Sequence, residues 1–155
     1  MTAPLLLIAV GNPARGDDGL GPALLEMLAA ERLAGVETLL DFQLQVEHAL
    51  DLVGREAVLF IDATKAAVGV QLSPVAPAHA LPALSHALTP AGVLHVARRL
   101  GQVMPEAWQL AIEGESFGLG EGLSAAAQRR LPAALGLARQ WLAARGVGGP
   151  HRGSR

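Results

Sequence analysis

Six apolar residues in unbroken succession, Leu5 to Val10, run into the segment GNPARGDDGLGP (11–22), and helical spacing of Leu24, Leu25, Leu28 and Ala29 follows at once. A half-exposed strand alternates apolar with polar residues, whereas a continuous apolar run needs cover on both faces. The opening of the chain is therefore a β-strand, a glycine-rich loop and a helix running from Pro22 to Leu33. The loop is not a phosphate cradle, which offers backbone N–H groups and a lysine to an anion. Here the anions belong to the protein, as Asp17 and Asp18, and they attract a cation instead.

The alternation continues. Val36 to Phe42 reads as a second strand, Val46 to Val53 as a short helix, Ala57 to Ile61 as a third strand ending at Asp62, and Ala67 to Val75 as a further strand. A Pro/Ala-rich connection, Pro74 to Leu84, reads as an irregular loop. Thr89 has the position of an N-cap with Pro90 as first helical residue, opening a helix to about Leu100. Ala107 to Ile112 supplies another strand, and Ser124 caps a last helix to about Arg145, with a kink or broken start expected at Pro132. The tail from Gly146 to Arg155 is expected to be disordered. These elements predict one α/β domain, residues 1–145, built as three layers: a twisted, mostly parallel sheet flanked by helices on both faces.

Composition narrows the function. With 155 residues, half of them hydrophobic, the chain has enough apolar surface for one core. A formal charge of -2 gives nucleic acid no purchase, and the pairs Arg98-Arg99 and Arg129-Arg130 read as solvated helix faces. The absence of cysteine removes disulfides, thiolate catalysis and cysteine-held zinc. No segment has membrane-spanning length, and the expectation is a cytoplasmic monomer.

In parallel sheets, sites form beyond the carboxyl ends of strands, where the strand order switches. An order beginning 2-1-3 makes the first and third strands neighbours, so that Asp18 and Asp62 face one crevice. Each aspartate alone has an everyday explanation as a helix cap or turn former. Together, at the end of a buried strand, two carboxylates require a partner, and a cation is the obvious one. Of five histidines, His86 stands just before the helix capped by Thr89 and is the best-placed third ligand, with His95 inside that helix as the rival. Two carboxylates and an imidazole suit a borderline divalent cation such as nickel or zinc, with coordination positions left open.

The segment GNPARGDDGLGP, followed by DFQLQVEHALDL, LFIDAT, SHALTPAGVLHVARRLG and GESFGLGEGLS, resembles the hydrogenase maturation proteases. These endopeptidases trim the C-terminus of the large subunit of nickel-iron hydrogenases. The resemblance spans Leu5 to about Leu142. It implies a site of two acidic residues and a histidine, mapping to Asp18, Asp62 and His86, with Asp18 shorter than the glutamate frequent at its position. It further implies nickel that arrives with the hydrogenase large-subunit precursor, bound transiently, and no permanently held cofactor. Asp17 is open to two roles, general base or loop-orienting group, and Asn12 is a candidate donor to a carbonyl. Two other readings share the same residues: a self-sufficient metallohydrolase holding its own metal, and a metal-checking chaperone that binds the precursor without cutting it.

Overall fold

The computed structural model describes residues 2–81 and 88–148. Among them run strand β1 (Leu5–Val10), helix α1 (Leu20–Ala29), β2 (Val36–Asp41), the single-turn α2 (His48–Asp51), β3 (Ala57–Thr64), β4 (Val70–Pro74), α3 (Pro90–Arg99), β5 (Glu106–Glu113) and α4 (Ala125–Ala143). The sheet order is β2-β1-β3-β5-β4, parallel throughout except for β4, which pairs antiparallel with β5.

All six residues of β1 are buried, because the strand lies between β2 and β3 under helices on both sides. Leu5, Leu7 and Ala9 pack with Leu24, Leu28, Ala134 and Trp141, beneath α1 and α4. Leu6, Ile8 and Val10 pack with Ala49, Leu52, Val93 and Leu94, beneath α2 and α3. Burying one such side chain is worth about 1.5–3 kcal/mol, so a one-residue slip that exchanged the two faces would misplace every one of them.

The helix ends follow their local chemistry. The Thr89 hydroxyl accepts from the Gly92 amide and Pro90 opens α3, as the sequence predicts. Ser124 caps α4 by accepting from the Ala127 amide. Three expectations are corrected. Helix α1 starts at Leu20, two residues before Pro22, so the proline falls in the first turn, where its missing N–H costs nothing. Helix α4 runs unbroken through Pro132, which sits on the exposed face, where water reaches the carbonyl it leaves unbonded. Residues Gly146 to Gly148 belong to the folded domain: the Gly146 amide bonds Ala143 O and the Val147 amide bonds Leu142 O, a Schellman turn that returns Val147 to the core. Residues 149–155 of the expected tail lie outside the described residues.

The arginine pairs are also less idle than solvated faces. Arg130 donates to Glu113 O and to Glu115 Oε2 (2.9 and 3.0 Å), and Arg98 donates to Ala78 O (3.1 Å). No helix of the described residues is long and apolar enough to cross a membrane.

Candidate active site

After β1 the chain leaves for β2 on one side and later returns to β3 on the other, so the sheet's switch point lies at the C-terminal ends of β1 and β3. The loop from Gly11 to Gly19 closes directly over those ends. A Cβ on Gly11, whose φ is +148°, would stand 1.9 Å from Asp18 O, so the carbonyl of Asp18 crosses where only glycine fits. At Gly21 a Cβ would stand 2.8 Å from Val10 O and 2.9 Å from Ile61 O. The first turn of α1 is thereby seated on the ends of both strands.

Asp18 leaves this loop partly buried, and its Oδ2 accepts from the Asn12 amide at 2.7 Å. Asp62 ends the buried part of β3, opposite Val10 in register. Burial pushes the Asp62 carboxyl up, the Ala63 amide pulls it down, and the charge of Asp18 pushes it up again, to a pKa of about 7. The charge of Asp18 is the least of these three influences, and the strand order sets the ends of β1 and β3 side by side. Among the described residues neither has an ion-pair partner, and no third histidine or carboxylate joins them in a set able to hold a metal. Carboxylate oxygens in a partly desolvated position fit a divalent cation, whose charge would offset first the burial and then the repulsion that raise Asp62.

His86 lies outside the described residues. Its rival His95 is buried on α3, with Nδ1 2.7 Å from Ala78 O, and lines a separate cavity of about 510 Å³ with His79 and Arg99. It is not brought to the aspartate pair.

Asp17 occupies a different environment from its neighbour. Its exposure is 0%, and its oxygens accept from the amides of Glu115, Ser116 and Ser124 and from the Ser124 hydroxyl, at 2.7 to 3.1 Å. Burial alone would raise its pKa, but these donors outweigh burial and hold the carboxyl below its ordinary value. A carboxylate with no solvent access and its lone pairs engaged is no general base. Its hydrogen bonds tie the loop to the Glu115–Ser116 turn and to Ser124. Asn12 Oδ1 is engaged in a local turn, accepting from the Ala14 amide at 2.9 Å, which leaves its side-chain NH₂ as the remaining donor.

One pair near the site has no counterpart in the sequence reading. Asp41 stands at the end of β2 in the same register row as Val10 and Asp62, and its Oδ2 lies 3.4 Å from Nε2 of the buried His48. His48 Nδ1 accepts from the Gln45 amide at 2.8 Å, so its proton sits on Nε2, facing Asp41. The signal was the one that exposed Asp62: an acidic residue ending a strand.

No family model and no curated protein matches the chain. Solved structures do. The chain is similar to the hydrogenase maturating endopeptidase HybD from E. coli, with a TM-score of 0.73 and 24% identity over 95% of each chain. A solution structure of an endopeptidase from Escherichia coli gives a TM-score of 0.70 and 23% identity, again over 95% of each. The [NiFe] hydrogenase maturation protease HycI from Thermococcus kodakarensis KOD1 gives 0.64 and 22%, over 89% of this chain and 91% of that one. At such identities the likeness is one of architecture, and the chain has the fold of the hydrogenase maturation endopeptidases.

Proposed function

We propose that this protein is an endopeptidase that removes the C-terminal extension of a nickel-iron hydrogenase large-subunit precursor after nickel has been inserted. What supports the proposal is the fold together with the positions of Asp18, on the loop packed against Gly11 at the end of β1, and Asp62, opposite Val10 on β3, where among the described residues neither carboxylate has an ion-pair partner. Such a pair binds a divalent ion weakly until a second molecule supplies further ligands. Nickel held by the precursor meets that condition and acts as the recognition element. Asp18 and Asp62 would complete its coordination, with His86 as third ligand on the strength of its place in the sequence. The metal then belongs to the substrate, and the protein contributes the carboxylates, their spacing and a loop rigidly anchored through Asp17.

The test is processing of precursor prepared with and without nickel, followed by the mobility shift on gels. Wild-type protein is expected to cut only the nickel-loaded form. Asp18→Asn and Asp62→Asn should each abolish cutting while circular dichroism stays that of the folded protein. Full processing by either variant would remove that residue from the site.

A further inference from the structure

The two edges of the sheet differ. Strand β4 carries Pro74, which has no N–H to offer another strand. Strand β2, Val-Glu-Thr-Leu-Leu-Asp, contains neither proline nor lysine, the residues that usually blunt an edge. The Leu5 amide bonds Gly35 O and the Gly11 amide bonds Asp41 O, so the odd-numbered residues of β2 direct their backbone groups at β1. Thr38 and Leu40 therefore direct theirs outward, and among the described residues no backbone group meets them.

Beside this edge lies a groove of about 550 Å³. Leu40 forms one wall, Ala23 and Leu25 of α1 the other, and Gly16 and Gly19 close the end next to Asp18. Leu40 is 52% exposed and Phe42, two residues on, 65%, an apolar margin that a free edge does not need for its own stability. The unpaired backbone and the groove thus share Leu40, and the groove reaches Gly16 and Gly19, the glycines that flank Asp17 and Asp18 in the chain.

We propose, on the reading of the protein as a precursor-processing endopeptidase, that β2 is the docking edge for the precursor's C-terminal segment. The segment binds extended, as a sixth strand, exchanging backbone hydrogen bonds with Thr38 and Leu40. An apolar side chain enters between Leu40 and α1, and the chain beyond it passes over the Gly16–Gly19 turn to Asp18. Strand addition of this kind draws affinity from the main chain and selectivity from the pocket beside it. An extended tail has both of its backbone edges free to supply the match.

The experiment compares nickel-loaded precursor cleavage by wild type, Thr38→Pro, Leu40→Lys and, as a control far from the groove, Val103→Lys at a 90% exposed position. Thr38 directs its N–H away from β1, so proline there spares the internal ladder; should it still impair folding, Leu40→Lys decides. For the two β2 variants KM should rise about tenfold while kcat stays within about twofold, because docking is lost and the chemistry is not. Hydrogen exchange should show the Thr38 and Leu40 amides becoming protected when precursor binds to Asp62→Asn protein. Unchanged KM in both β2 variants, with wild-type cleavage intact, overturns the docking edge and leaves the proteolytic reading standing. Wild-type protein that neither binds nor cuts the precursor overturns both. A wild-type dimer in light scattering that Thr38→Pro dissociates assigns the edge to a second copy of the chain and likewise overturns the proposal.

Discussion

Replacing Asp62 by asparagine should make the protein more stable, and the gain should grow with pH. In the unfolded chain the carboxyl titrates near 3.8, and in the folded protein at about 7. Between those values the folded state holds a proton that the unfolded state has released, so stability falls as pH rises through the interval. At ~1.4 kcal/mol per pH unit the full interval from 3.8 to about 7 amounts to about 4 kcal/mol. Asp62 keeps some contact with solvent, and relaxation of water reduces the figure, so a gain of at least ~2 kcal/mol above neutrality is the working expectation. Urea unfolding of wild type and Asp62→Asn, in chelator, at unit steps from pH 4 to pH 8 measures it. The difference between the two proteins should widen up to about pH 7 and then level off; pH-independent effects of the amide cancel from its slope. Asp18→Asn should narrow the window by removing the charge that helps to raise Asp62. A stability difference that does not change with pH, or a carboxyl ¹³C titration placing Asp62 near 4, would refute the account of a strained acidic pair.

Three further outcomes are expected. Asp17→Asn sets an NH₂ against at least one backbone donor in a dry site and should destabilise the fold by about 2–4 kcal/mol in urea melts; an effect below 1 kcal/mol would mean that the anchor is dispensable. His86→Ala should slow processing, whereas His95→Ala should lower stability by about 1–3 kcal/mol through the lost bond to Ala78 and leave processing near wild type; an inactive His95→Ala that remains folded would reverse the assignment. Elemental analysis of the purified protein should find well under one divalent metal per chain, and tightly held zinc combined with cutting of nickel-free precursor would sink the nickel-sensing mechanism.

What was legible in the sequence was whatever local physics determines. β1 and β3 announce themselves because burial on both faces leaves no room for polar residues. Thr89-Pro90 and Ser124 mark helix starts because a cap acts within three residues of itself. The adjacency of β1 and β3, which sets Asp62 beside the end of β1, followed from a rule of topology that needs no side-chain detail. The contrast between Asp17 and Asp18 was not legible: adjacent and chemically identical, they differ because Ser124 and the Glu115–Ser116 amides, about a hundred residues away, surround one and not the other. Pro132 was misleading because sequence does not reveal which face of a helix meets solvent. Asp41 with His48 was passed over because a lone helical histidine has no recognisable partner until the strand beside it is in place.

The Asp17 anchor also dictates an order of assembly. The loop that carries Asp17 and Asp18 is synthesised about a hundred residues before its fixing groups, which come from the turn just past β5 and from the residue that opens α4. Ser124 nucleates that helix through its hydroxyl and holds Asp17 through the same atom and its own amide. A nascent chain that stops short of Ser124 has β1, β2 and β3 available to pair and the Asn12 amide to hold Asp18, but lacks the Ser124 donors to Asp17. Asp17 therefore gains its full set of donors only with the residue that opens the last helix, and a partly made chain carries it as an incompletely satisfied carboxylate.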